Sequence, residues 1–418
     1  MKVGILTTFA DLDRSYSLVG VALEQAAMLA EHGVDYEFFV LKTFKDETPE
    51  WLNLRAEVPT GRLQEDLIND DLAEEAAAWL KEIAPQFDVI LTHDMMFQTW
   101  FVTYNQAIRE TIKECPGTTW VHWVHSAPGG RPARLLGPSA LRYEICPNSL
   151  YAYLNEADRL RYAESIGTKI DNVWTVYNPS DISTFLGVDD LLAKAIKEWR
   201  LWDHDIMQVY PFSMPRIEAK GAEKVIGIFA GWKKEGYKTK LVFANAHCNN
   251  PREKKAVDVW TTLAADYGLE EGKDLFWTSR IKEWEYSVPH ETVKNLFRIS
   301  NVFVFPTTSE ACSRILQEAS LAGCLVIGNE SFPPMNEFLD PMTPRHTFGS
   351  LRYDVKYSPN LKSWCHEVAK ATMPLLSHPI MRQKSHMMKV ASRETVWMRQ
   401  FYPLLMQAKS MGESRGAA

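Results

Sequence analysis

Residues 301–323 read NVFVFPTTSEACSRILQEASLAG. Val and Phe alternate over a strand's length, Pro-Thr-Thr-Ser turns the chain, and a helix is expected to begin near Cys312 or Ser313. A strand that runs through a short loop into a helix is half of a βαβ unit, the building block of a parallel sheet. In such sheets ligands collect just beyond the carboxyl ends of the strands, so the loop after Phe305 is the first place to look for chemistry.

The same strand-then-helix alternation runs outward from this stretch in both directions. In the amino-terminal half it appears as KVGILTTF, a helix over 17–32, YEFFVL, DVILTH, a helix over 97–113, TTWVHWVH and NVWTVYN. After YNPSD it starts again: DIMQVYPF, a helix over 221–235, KLVFANAH, a helix over 253–266, DLFWTS, a helix over 290–299, NVFVFP, the 312–323 helix and CLVIGN. Strands this uniformly apolar are buried on both faces, which predicts an α/β protein of two Rossmann-like, doubly wound domains. The boundary is expected within 178–204. That division gives residues 1–180 to one domain, completed by a helix at about 385–410, and 181–384 to the other. The tail GESRGAA is expected to be disordered.

Composition narrows the function classes. With 418 residues and 46% hydrophobic content, the chain can bury two cores. Its net charge of −7 provides no bulk electrostatic footprint for nucleic acid or an anionic membrane, so a polyanion would need a local basic surface. The six cysteines (Cys115, Cys146, Cys248, Cys312, Cys324, Cys365) are scattered without a C-x-x-C pair. That pattern suits reduced, buried thiols and a cytoplasmic address. No apolar run reaches the length of a membrane span, and the N-terminus lacks a signal-like core.

Several residues at strand ends carry candidate chemistry. The N–H groups of Ala311, Cys312 and Ser313, at a helix N-terminus with small side chains, suit an anion. Glu310 and Glu318 beside them would repel that anion, so they call for a neighbouring hydroxyl-rich group such as a ribose or hexose. Together these features read as a holder for a sugar nucleotide. The plainer alternative is an acidic, solvated helix face favoured by the dipole. Arg216 and Lys220, in the loop of YPFSMPRIEAKG, place two cations after another strand, where they would balance a diphosphate. His125 closes TTWVHWVH and His93 closes DVILTH; either could equally be a satisfied structural histidine.

The order PRIEAKG, then NVFVFPTTSEACSRILQEASLAG, resembles the arginine, lysine–glycine and E-x7-E signature of retaining GT-B glycosyltransferases, the glycogen-synthase-like and mannosyltransferase-like group. The resemblance is strongest over 205–330; VYNPSDISTFL is similar to the family's interdomain element, and ETVWMRQFY to its returning C-terminal helix. It implies two domains facing a central cleft, with the acceptor side at 1–180 and the donor side at 181–384. Arg216 and Lys220 would contact the diphosphate of a UDP- or GDP-sugar, Glu310 the transferred sugar, and Glu318 the nucleotide ribose. His125 would face the transferred sugar. Configuration would be retained, with the leaving phosphate taking the acceptor proton and neither cofactor nor metal required. The chain departs from the pattern in three places: TTFADLDRSYS replaces the glycine-rich first loop, Ala311 and Ser313 replace glycines, and the arginine-to-lysine spacing is one residue short. The strings DLD at 11–13 and DHD at 203–205 could instead suggest a metal motif.

The acceptor is expected on the first domain. Arg131, Arg134 and Arg142 lie in GGRPARLLGPSALR without an acid, next to His125, and could grip phosphates. Trp100, Trp120 and Trp123 could stack on a sugar or base, although apolar core is their ordinary fate. The phrases THDMMFQTWFVTYNQAIRE and WVHWVHSAPGGRP resemble phage-encoded glycosyltransferases that act on hydroxymethylated pyrimidines in DNA. This makes such DNA the first acceptor expected, with a surface polysaccharide or lipopolysaccharide second. A catalytically silent sugar-nucleotide-binding module is the reading from another class.

Overall fold

The computed structural model describes residues 1–13, 17–125, 137–308, 313–332, 336, 338–348, 360–377 and 379–416. The chain divides into two compact units, one formed by Met1–Asp181 with Val390–Ala418 and the other by Ile182–Lys389.

The first unit is a seven-stranded parallel sheet in the order β3-β2-β1-β4-β5-β6-β7. Its strands are β1 (Lys2–Leu6), β2 (Asp35–Leu41), β3 (Leu54–Val58), β4 (Val89–His93), β5 (Thr119–Val124), β6 (Ser149–Tyr153) and β7 (Val173–Thr175). All residues of β4, β5 and β6 are buried, as expected for central strands covered on both faces. Trp120 and Trp123 point to opposite faces of β5 and are both fully buried, so they are core, whereas Trp100 is partly exposed. Helices α1 (Ser17–Glu31), α2 (Asp70–Ile83), α3 (Val102–Glu114) and α4 (Arg159–Ile166) connect the strands. Asn69 caps α2 by accepting from the Leu72 N–H, with Asp70 and Asp71 in the first turn complementing the helix dipole.

The chain returns to the first unit at its far end. The helix Tyr402–Gly416 and the turns before it bury Val396, Phe401, Leu404, Leu405 and Ala408 in the same cluster as Val121 and Trp123. This corrects the expectation of a disordered GESRGAA tail for residues 412–416, which belong to the helix, while 417 and 418 lie outside the described residues. Gly412 is what permits it: a Cβ there would lie 2.6 Å from the Gly117 carbonyl oxygen.

In the second unit, β8 (Ile206–Ser213), β9 (Thr239–Ala246) and β10 (Leu275–Trp277) form a parallel sheet in the order β10-β9-β8. Strands β11 (Val302–Phe305), β12 (Leu325–Asn329) and β13 (Arg345–His346) form another. Side chains join the two sheets edge to edge. The Gln208 amide donates to the Val304 carbonyl at 3.0 Å and accepts from the Val304 N–H at 2.7 Å. Ser300 Oγ accepts from the Val209 N–H and Asn301 Oδ1 from the Met207 N–H. Every member of this seam is buried and paired, so the layer continues without an exposed edge. The resulting order, β10-β9-β8 then β11-β12-β13, reverses direction between β8 and β11 and makes that junction the switch point of a Rossmann-like sheet. Helices α5 (Ile182–Leu186), α6 (Asp190–Glu198), α7 (Ala222–Lys234), α8 (Pro251–Tyr267), α9 (His290–Ile299) and α10 (Arg314–Leu321) belong to this unit, together with the later helix Leu361–Leu376. The α/β class and the two Rossmann-like halves are therefore as expected from the strand pattern.

Candidate functional site

Arg216 ends a single 3-10 turn, Met214–Arg216, directly beyond β8. The chain then coils so that the Lys220 N–H donates to the Arg216 carbonyl at 3.0 Å and the Gly221 N–H to the Glu218 carbonyl at 2.8 Å. Gly221 has φ +68° and precedes α7. Two features demand glycine there: the left-handed backbone, and a Cβ that would stand 2.9 Å from Pro306 Cγ and 3.1 Å from the Pro306 carbonyl oxygen. Contact with Pro306 seats the β8–α7 loop on the loop after β11. The Ala219 carbonyl accepts long contacts from Thr307 Oγ1 and the Thr308 N–H, both at 3.5 Å. Asn329, at the end of β12, donates to the Thr307 carbonyl at 3.0 Å and accepts from the Ser331 and Phe348 N–H groups. The loops after β8, β11 and β12 are thereby tied together at one end of the sheet, on its switch point.

Lys220 is buried, with its ammonium 6.0 Å from the Phe305 ring centre. Burial, and then the Arg216 guanidinium, pull its pKa down from 10.5 to about 8. The ammonium is thus charged at neutral pH but at a desolvation cost, a state that a bound anion would relieve.

Ser313 caps α10, its side chain accepting from the Leu316 N–H. Glu318 is largely buried on the second turn and meets His290 Nε2 at 2.8 Å and Arg314 at 3.7 Å. Glu310, Ala311 and Cys312 lie outside the described residues, as do Arg131 and Arg134.

In the first unit the candidates gather at the carboxyl ends of the paired strands β4 and β5, next to the β1–β4 junction where the strand order reverses. His93 ends β4 and His125 follows β5; their rings are stacked, with His93 Nδ1 and His125 Nε2 3.0 Å apart. Asp94, which sequence reasoning passed over, has φ +55° and accepts the His125 backbone N–H at 2.8 Å. Burial pushes the Asp94 carboxyl up and His125 down to about 4, and holds His93 well below the ordinary histidine range. Both rings are neutral at pH 7.

His247, directly after β9, also went unnoticed in the sequence. It holds φ +62° and its Nδ1 lies 2.8 Å from Ser213 Oγ, at the end of β8. Its only sequence signal is the dense run of polar residues in NAHCNN after an apolar strand.

Other candidates are accounted for structurally. The Arg142 guanidinium bonds the Phe97 carbonyl and lies over the Phe97 and Tyr143 rings, so it fastens its own loop instead of standing ready for a phosphate. Asp203 and Asp205 of DHD precede β8 at the opposite end from Arg216, and pair with Lys238 and Lys389. In DLD, the Asp11 carboxylate accepts the Asp13 N–H within its own turn. Among the described residues no group of three or more His, Cys, Asp or Glu side chains converges as for a metal ion. Among them, too, no helix is long and apolar enough to cross a membrane. The described cysteines are buried thiols.

No protein-family model matches the chain, and no curated protein matches it. Among solved structures it is similar to Anabaena Alr3699/HepE in complex with UDP, at 13% identity over 100% of both chains with a TM-score of 0.33. It is also similar to a glycosyltransferase from Rickettsia africae, at 12% identity over 98% of both chains with a TM-score of 0.39. WaaG, a glycosyltransferase involved in lipopolysaccharide biosynthesis, gives 13% identity over 98% of this chain and 99% of its own, with a TM-score of 0.32. At these values the functional reading rests on the residues of the chain itself.

Proposed function

We propose that the protein is a nucleotide-sugar-dependent glycosyltransferase of GT-B type that retains anomeric configuration. The observation that supports it most is the joining of the Arg216–Lys220 loop to the loop preceding α10 at the switch point of the second unit. Two cations and a helix N-terminus in one such crevice match the charge that grows on a departing nucleoside diphosphate. In this reading Arg216 and Lys220 neutralise the diphosphate, with the amides of Ala311, Cys312 and Ser313 beside them. Glu318 exchanges His290 and Arg314 for the ribose hydroxyls, and Glu310 holds the transferred sugar. The bond from the anomeric carbon to the phosphate oxygen breaks as the acceptor oxygen bonds the same face, and the leaving phosphate oxygen takes the acceptor proton. His125 faces the transferred sugar in the same reading. A UDP- or GDP-sugar is the donor, and no metal enters the scheme because the two cations occupy that role.

For the acceptor, a 5-hydroxymethylpyrimidine in DNA remains the first candidate, on the wording of the first-domain segments. The engagement of Arg142 with Phe97 and the net charge of −7 favour a surface glycan as the second reading. The test is incubation with a pool of nucleotide sugars in EDTA, with hydroxymethylated DNA and oligosaccharides as acceptors, followed by mass spectrometry. A hexose or pentose mass on a nucleoside supports the first acceptor, and the same mass on a glycan supports the second. Glu310→Gln is expected to abolish transfer while leaving the fold intact. Full activity of that variant would sink the site assignment.

A further inference from the structure

The histidine pair at the ends of β4 and β5 contains an asymmetry. His93 is 97% buried, given its 3% relative exposure, and its Nε2 has no hydrogen-bond partner among the described residues, while its Nδ1 faces His125 Nε2 at 3.0 Å. His125 is only half-buried. Two neutral imidazoles in contact share one hydrogen bond, which allows two arrangements. If His125 Nε2–H donates, His93 must carry its own proton on Nε2, leaving a buried N–H with no acceptor. If His93 Nδ1–H donates, its orphaned Nε2 is a bare lone pair, and the remaining His125 proton sits on Nδ1 of a side chain that water and ligands can reach. Buried N–H groups without acceptors are rarer in proteins than under-used acceptors, so the second arrangement wins.

We infer that His93 is a positioning residue that locks His125 in its Nδ1–H tautomer, so that the ring offers a ligand a hydrogen-bond donor. The neighbouring geometry supports a built arrangement. Asp94, held at φ +55°, accepts the backbone N–H of His125 at 2.8 Å, so backbone and ring of the same residue are each gripped from the end of β4. A buried carboxyl at positive φ whose shorter hydrogen bond goes to the His125 backbone, with only a long 3.5 Å contact from the Gln98 amide on its other oxygen, is the kind of cost found where a side chain must be aimed. An Nδ1–H donor suits a hydroxyl or ring oxygen of a sugar, and cannot act as a general base toward an acceptor hydroxyl. Its use toward a sugar rests on the glycosyltransferase reading; the tautomer itself does not.

The experiment is a long-range ¹H–¹⁵N spectrum of the full chain labelled with ¹⁵N-histidine at pH 7, with His125 assigned by its loss in His125→Gln. The expected wild-type pattern has the proton on Nδ1. In His93→Leu it should revert wholly or partly to the Nε2–H form ordinary for a free imidazole, and His93→Asn, whose amide N–H can donate in place of Nδ1–H, should restore it. An Nε2–H pattern in the wild type, or an unchanged pattern in His93→Leu, overturns the inference, and the wild-type spectrum decides even if the leucine variant does not fold. Given transfer activity, His93→Leu should lower kcat by roughly 10- to 100-fold with little change in donor KM, and His93→Asn should recover most of it. Equal activity of all three proteins would overturn the positioning role. Absence of activity with the tautomer pattern intact would instead count against the glycosyltransferase reading alone.

Discussion

At the scale of single residues, Lys220 shows how the fold spends stability on charge. Its pKa of about 8 lies below the 10.5 of an unfolded chain, so the folded state disfavours the ammonium. The sign follows: below about pH 8 the fold bears the full cost, which is relieved as pH rises toward 10.5. Lys220→Met is therefore expected to raise the unfolding free energy at pH 7 by about 1–3 kcal/mol, measured in urea, while removing donor binding. In the wild type, donor affinity should hold up to about pH 8 and fall above it, because the cation is what the diphosphate meets. His122 titrates with a different consequence. It bridges Thr92 Oγ1 at 2.9 Å and Ser149 Oγ at 3.0 Å across three buried strands, and burial, then Arg109, lowers it to about 3. The unfolded chain takes up this proton below about pH 6.5, so stability is full above that pH and falls by about 1.4 kcal/mol per unit as acid approaches pH 3. His122→Gln should reduce the loss between pH 7 and pH 5 by about 2 kcal/mol, read from urea midpoints at the two pH values.

At the scale of elements, the strand-to-helix loops decide what the sheet can do. The β8–α7 loop can approach Pro306 only because residue 221 lacks a Cβ and tolerates φ +68°. Gly221→Ala should cost about 1–3 kcal/mol of stability. More tellingly, it should weaken binding of a nucleoside diphosphate in calorimetry, because the whole Arg216–Lys220 turn must shift away from β11. Unchanged affinity in a folded Gly221→Ala protein would separate this loop from the donor. The seam between β8 and β11 belongs to the same scale: Gln208 replaces a stretch of backbone ladder, holding the strands on either side of the switch point in register through one buried amide.

At the scale of the whole molecule, the first unit is completed by residues from both ends of the chain. Arg393 joins Glu24 at 2.5 Å, Glu31 at 2.6 Å and Asp181 at 3.4 Å, and is largely buried among them. The guanidinium is stabilised by all three carboxylates, Glu24 foremost, after burial has opposed it, so its charge persists throughout the accessible pH range. Arg393→Ala leaves three acids facing one another and is expected to destabilise the first unit by about 3–5 kcal/mol, visible as a separate early transition in calorimetry. Nucleotide binding by the second unit, Ile182–Lys389, should survive the substitution, because its candidate donor residues all lie within that unit.

Much of this protein was legible in its residues alone. Mostly apolar strands such as VILTH and TWVHWV fit burial on both faces, and their alternation with helices left a doubly wound α/β architecture as the consistent solution. The cations Arg216 and Lys220 were visible because charge in a strand-to-helix loop is a local pattern. Less was legible where burial is partial or strands are short. The edge strand β3, LRAEV, carries Arg55 and Glu57, and β6, SLYAY, offers too little pattern to stand out; neither was anticipated. A returning C-terminal helix was legible in ETVWMRQFY, but its last turn, from Gly412, was read as a polar tail because the fit of Gly412 against the Gly117 carbonyl is a contact between residues 295 positions apart. The pairing of His93 with His125, the grip of Asp94, the approach of His247 to Ser213 and the amide seam at Gln208 are likewise contacts between strands. Periodicity and charge are written along the chain and survive without a fold. Register, close approach and the choice of which histidine meets which exist only once the strands have paired, so the tertiary structure alone decided them.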